Sequence, residues 1–183
     1  DLRREEALLA AINGTARLIV GQLSAVNSAG HLHGVDYDEE APYGGAVADK
    51  VGVLRAVLDA VREQPMRTTT VILSDHGHLE RGGSGGASAA ERKVPLMVHR
   101  HASGLGNAGT CNDGNSYSLV DAAPTLAALL SVPPPRHSTG RFITPIFDAM
   151  AEADDGLASD SDESASGEAS VGLETWQWRD LYE

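Results

Sequence analysis

A single cysteine, Cys111, leaves this chain unable to close an internal disulfide. An oxidising compartment is therefore neither demanded nor excluded. No run approaches the ~20 apolar residues that span a bilayer, and no signal peptide is visible at Asp1. Basic residues are scarce, 14 Lys and Arg against 26 Asp and Glu. That balance argues against nucleic-acid binding, because phosphate backbones are held mainly by Lys and Arg. Aromatic residues make up only 4% of the chain, and no internal repeat is evident. What remains, 183 residues with 42% hydrophobic content, is enough for the core of one domain.

The acidity is concentrated at one end. Residues 1–150 carry 13 Lys and Arg against 16 Asp and Glu, whereas residues 151–183 carry 1 against 10. Residues 151–172 are rich in Ala, Glu, Asp, Ser and Gly, with too little apolar area to offset the entropy of ordering them, and are expected to form a disordered acidic linker. Ser159 to Glu163 has the form of an acidic-directed kinase site; a solvated spacer is the plainer reading. Residues 173–183 then hold Trp176, Trp178 and Tyr182, an aromatic segment expected to pack on the domain, with a partner or a membrane interface as alternatives.

Within residues 1–150 the most informative segment is Ser74-Asp75-His76-Gly77-His78, which follows the β-branched run Thr68-Thr69-Thr70-Val71-Ile72-Leu73. A strand ending in an adjacent carboxylate and imidazole puts metal-ligand chemistry at a sheet edge, where ligands bind in open α/β folds. The plainer alternative has Asp75 capping a turn and His76 bonded to backbone. The loop Gly82-Gly83-Ser84-Gly85-Gly86, which permits close backbone approach to a bound group, favours a site. Upstream, residues 16–23 read as another buried strand, followed by Asn27 and His31, four apart and so on one face of any helix there.

Residues 2–12 look helical, ended by Asn13-Gly14. In residues 42–64, Val47, Val51, Leu54, Leu58 and Val61 recur at spacings of four and three, one apolar helical face. Strand, helical crossover and strand imply a βαβ unit and a parallel sheet. Residues 94–99 suggest a further strand, residues 118–130 an amphipathic helix stopped by Pro133-Pro134-Pro135, and residues 141–150 a last short helix.

These segments, in this order, resemble the alkaline phosphatase superfamily, in particular its sulfatase-like and type I phosphodiesterase-like members, which include the glycosylphosphatidylinositol (GPI) ethanolamine-phosphate transferases. The resemblance covers residues 17–147. It rests on Asn27 to Gly34 (family form Asp-x-x-Gly-His), the helix from Tyr43, Ser74 to His78, the glycine loop, Val94-Pro95-Leu96 and Asp121-x-x-Pro124-Thr125-Leu126. It implies a three-layer α/β/α sandwich with a mainly parallel sheet, a metal-dependent hydrolase or transferase of phosphate (phosphodiester) or sulfate esters, and one or two divalent ions, commonly zinc. Asp75 and His76 would correspond to ligands of the ion that binds the nucleophile, and Asn27 and His31 to ligands of a second ion. The family's Ser or Thr nucleophile lies upstream of these motifs, so residues 1–150 are expected to be the C-terminal part of such a domain, inactive alone. By the same resemblance the protein would belong to the secretory pathway or a membrane, associated through the upstream part.

The chain departs from the pattern twice. Asn27 offers a neutral carbonyl where the family has a carboxylate, and Ser84 stands where related sequences carry a histidine. A weakened second metal site follows, and with it an alternative: a catalytically degenerate paralogue acting as a binding or interaction module. His33 and His78 are the nearest spare imidazoles, expected to orient ligands or contact the transferred group. Arg81 is either an anion contact or an exposed turn arginine. His99 and His101, in no recognisable motif, are expected at the surface.

Overall fold

The computed structural model describes residues 2–101 and 115–147. Both segments of the acidic tail, residues 151–172 and 173–183, lie outside the described residues, as does Cys111. Helix α1 (Leu2–Ile12) ends where the Gly14 amide donates back to the Ala11 carbonyl. Helix α2 is Ala25–His33 and α3 is Pro42–Arg62, the latter with proline in its first turn, where no amide is needed. Strand β1 (Thr68–Leu73) precedes the short helix α4 (Ala89–Arg92), strand β2 (Leu96–His101), a 3-10 turn (Leu119–Asp121) and helix α5 (Ala122–Leu129). Residues 144–147 are again helical.

The helices pack chiefly through α3, whose Val57 and Val61 are buried as the periodicity requires. Lys50, also buried on α3, bonds its ammonium to Glu5 on α1 and to Asp49 at 2.8 Å. These partners raise the Lys50 pKa, Asp49 foremost, so the charge is retained despite its burial. Gln64, just past α3, donates to Asn13 at 3.0 Å, tying the far ends of α1 and α3 together. Gly44 is buried where any side chain would collide with the Asp38 carbonyl, which sets the close entry of the 37–38 segment onto α3.

The molecule is mixed helix and strand, but the sheet differs from expectation. Among the described residues it has two strands, and β1 pairs with β2 antiparallel, Thr68 opposite His101 and Leu73 opposite Leu96. Residues 16–23 form no strand there: the segment has strand-like composition but no ladder partner, and Leu18 and Val20 are 53% and 82% exposed. The expected βαβ unit, parallel sheet and three-layer sandwich are accordingly not seen. Strand β2 begins two residues later than expected and takes in His99 and His101, which are half-buried with ring nitrogens lacking partners, and so are not surface residues.

One face of the sheet, with Val71 and Leu96, lies against Ala122, Thr125, Leu126, Ile143 and Ile146 across a gap of only about 10 Å³. Thr125 organises this core. Its hydroxyl donates to the Asp121 carbonyl at 2.6 Å and accepts from the buried Ile143 amide at 3.1 Å. The Asp121 carboxylate accepts from the Ser118 and Arg141 amides at 2.9 and 2.8 Å. The Asp-x-x-Pro-Thr segment is thus a clasp between α5 and residues 140–143.

Candidate metal centre

The turn after β1 is built by its own side chains. The Ser74 hydroxyl donates to the His76 carbonyl at 2.8 Å, and His76 Nδ1 lies 3.0 Å from the Gly77 carbonyl. Nδ1–H donation to that carbonyl leaves the Nε2 lone pair outward, the arrangement that suits a metal-binding imidazole. The Gly77 amide donates to the Glu91 carbonyl on α4 at 2.9 Å, and any side chain at position 77 would collide with the Ala90 carbonyl. The glycine of Asp-His-Gly is therefore a docking point for α4.

Helix α4 is held by a capping box. The Ser88 hydroxyl and the Glu91 carboxylate are bonded to one another, and each accepts the other residue's backbone amide. Glu91 also takes the Gly86 amide at 2.7 Å and so fastens the end of the glycine loop. The Ser88 hydroxyl, followed by the Gly86 amide, holds the Glu91 carboxyl below the usual carboxylate range. The front of the loop docks on the C-terminal end of α2, where the Val35 amide donates to the Glu80 carbonyl at 3.0 Å. Gly34 at φ 77° and Gly82 at φ 88° supply the left-handed backbone needed there.

This docking sets His31 of α2 beside the β1 turn. The ring centroids of His31 and His78 are 4.9 Å apart, those of His76 and His78 5.1 Å, and those of His31 and His76 6.4 Å. His78 lies against Gly30, where an added Cβ would sit 2.8 Å from its Cδ2. The glycine of Asn27-x-x-Gly30-His31 thus makes the cradle for the His78 ring. His78 Nδ1 is buried with no hydrogen-bond partner. Burial pushes the His78 pKa down, opposed by the Gly83 carbonyl and assisted by His31 and His76. Asp75 is exposed, its carboxylate 3.9 Å from His76 Nε2.

Of the residues singled out from sequence, Asp75, His76, His31 and His78 come together, and the elements that deliver them are a helix and a turn in place of two parallel strands. Asn27 and His33 are exposed on α2, Arg81 is exposed at the loop, and Ser84 is half-buried in it. Tyr43, in the first turn of α3, was not predicted as part of the site; its ring lies 6.3 Å from His78 and 5.9 Å from Tyr37. Only its place at the start of an amphipathic helix pointed toward it. In kind, three imidazoles, one of them with an unpartnered buried nitrogen, and one carboxylate suit a divalent ion of borderline softness. Among the described residues, no three His, Cys, Asp or Glu side chains aim their donors at one point.

Comparison with known proteins supplies the context. GPI ethanolamine phosphate transferase 3 of Eremothecium gossypii is 29% identical over 132 residues, which is 67% of this chain and 12% of that protein. GPI ethanolamine phosphate transferase 2 of Candida albicans is 33% identical over 91 residues, 46% of this chain and 10% of that protein. This chain is homologous to the GPI ethanolamine phosphate transferases. The human GPI ethanolamine phosphate transferase 2, catalytic subunit, is 31% identical over 87 residues, 48% of this chain and 9% of its own length. The chain thus spans about a tenth of the length of these transferases. These relatives agree with the resemblance to the alkaline phosphatase superfamily read from the motifs. No family model and no solved structure matches it.

Proposed function

We propose that this chain carries the metal-binding part of a phosphate-ester transferase, with Asp75, His76 and His31 holding a divalent ion, zinc by the chemistry of the donors. The observation that supports this most is the meeting of His31 from α2 with His76 and His78 from the β1 turn, in a chain homologous to transferases named for ethanolamine phosphate. Bound there, the ion would stabilise negative charge on the phosphoryl group and lower the pKa of an attacking hydroxyl. Around it, the Gly77 carbonyl orients the His76 ring, and Arg81 and His33 are the residues this reading assigns to contact with the ester's anionic oxygens. The attacking hydroxyl is supplied from outside residues 1–183.

In this reading residues 16–23 take up a strand position in a larger three-layer sandwich, which accounts for the exposure of their apolar Leu18, Ile19 and Val20. Association with a membrane of the secretory pathway rests on the resemblance alone; among the described residues no helix is long and apolar enough to cross a bilayer.

The test is metal analysis and transfer of phosphoethanolamine by the whole protein. Asp75→Ala and His76→Ala are each expected to lower bound zinc below half and activity at least about a hundredfold; unchanged metal content and activity in both overturn the proposal. A second reading, a degenerate binding module, is favoured by the amide at Asn27 and the hydroxyl at Ser84. It predicts no zinc in the wild type and its gain in the double variant Asn27→Asp, Ser84→His.

A further inference from the structure

We infer that the groove between α1 and residues 19–23 is the docking site of the chain's own C-terminal aromatic segment, residues 173–183. This goes beyond the metal reading and does not depend on it. Ala7, Leu8 and Ala11 of α1 line one side of the groove and Ile19, Val20 and Leu23 the other, around a volume of about 310 Å³. Clefts that take small ligands begin at about 300 Å³, so a large aromatic side chain has room. Gly21 lets the two sides approach, since an added Cβ would sit 3.0 Å from a Leu8 methyl group. Ala7 and Val20 are exposed, so the groove is open to a visitor.

Composition selects the occupant. Residues 173–183 hold both tryptophans of the chain, Trp176 and Trp178, with Tyr182 close behind. Such side chains join an apolar body to one polar group, which suits an apolar groove with a wet rim. Charge agrees with this choice. Arg4, which also donates to Ser24 at 3.1 Å, is the one charged residue lining the groove, and Arg3 and Arg17, both exposed, precede its two sides in the sequence. Residues 151–183 carry 10 Asp and Glu against a single basic residue. Complementarity of this kind steers and orients the segment, and the buried aromatic rings supply the affinity.

The tether is long enough. The described residues end at Phe147, in the helical turn whose Ile146 packs against α5. Arg17, just ahead of the groove, donates to the Leu130 carbonyl at the C-terminal end of α5 at 3.5 Å. One short helix, about 12 Å long, therefore links the exit point to the groove. Residues 148–172, 25 in all, span roughly 25–30 Å as a flexible coil and more where like charges repel. Such a tether holds its end at about millimolar effective concentration. Docking within one chain thus prevails in dilute solution, whereas a second copy competes for the same residues only when the protein is concentrated.

The experiment is photocrosslinking of the full chain, in dilute solution, from benzoylphenylalanine in place of Trp178, with the attached peptide identified by mass spectrometry. Tryptophan fluorescence of the unsubstituted chain is the second readout. Crosslinks are expected to residues 4–23 of the same molecule. Emission is expected at shorter wavelength, and acrylamide quenching slower, than for a free peptide of residues 173–183. Ala7→Glu puts a charge into the groove at an exposed position and is expected to abolish both signals, whereas Ala10→Glu, exposed on α1 outside the groove, keeps them. Should Ala7→Glu lose its helix content by circular dichroism, the crosslink in the otherwise unsubstituted chain decides. Crosslinks to a second copy or elsewhere on the domain, tryptophans as open to acrylamide as in the peptide, or an emission shift seen only with phospholipid vesicles overturn the inference and leave the metal proposal untouched.

Discussion

A methyl group is all that separates Gly30 from a collision with the His78 ring, so this glycine governs the histidine cluster although it carries no side-chain donor of its own. Gly30→Ala forces the ring, the helix or both to move. Overpacking of this kind costs about 1–3 kcal/mol, and zinc affinity is expected to fall in step; normal thermal stability and affinity in that variant would mean that the ring can step aside freely. Lys50 governs the α1–α3 contact in the same local way. Lys50→Met strands Glu5, and about 1.5–3 kcal/mol, the net worth of a hydrogen bond to a charged group, should be lost on urea unfolding. Because the Lys50 pKa is raised in the fold, its contribution is complete below the unfolded value of about 10.4 and disappears as pH rises through the higher folded one.

At the scale of elements, Thr125 shows how a motif can be structural. Thr125→Val keeps the shape but leaves the buried Ile143 amide without an acceptor, a loss of about 1–3 kcal/mol readable in chemical denaturation. On β2, His99 is held below its ordinary pKa by burial first, then by Arg62 and His101. Stability is therefore full above the unfolded value of about 6.5 and declines as pH falls toward the depressed folded one. His99→Phe should flatten melting temperature between pH 7 and 5, and an unchanged slope would sink this account. The helices α1 and α3 and strand β1 were legible in the sequence because repeat spacing and β-branching are local properties. The partner and direction of β1 were not, since a run such as Thr-Thr-Thr-Val-Ile-Leu suits a parallel or an antiparallel neighbour equally. That His31 lies near the Asp75–His76 turn was expected from the order of their motifs. The central place of His78 was not, because it depends on a glycine 48 positions away in the sequence.

For the molecule as a whole, Glu91 and Asp121 both have lowered pKa values, Glu91 through the Ser88 hydroxyl and Gly86 amide and Asp121 through the Arg141 and Ser118 amides. Each contributes stability that is present above its unfolded pKa, near about 4.3 and 3.9, and lost as pH falls through the folded value. Acid unfolding should thus set in below about pH 4, with the glycine loop and the α5 clasp loosening together; Glu91→Gln should shift the onset of loop hydrogen exchange toward neutral pH. Leu18, Ile19 and Val20 are aliphatic, exposed and outside any strand among the described residues, and an exposed apolar run of high β-propensity is a template for intermolecular pairing. In concentrated solution the isolated chain would zip to copies of itself along this segment, so light scattering should climb with protein concentration and subside when lysines replace Leu18 and Val20.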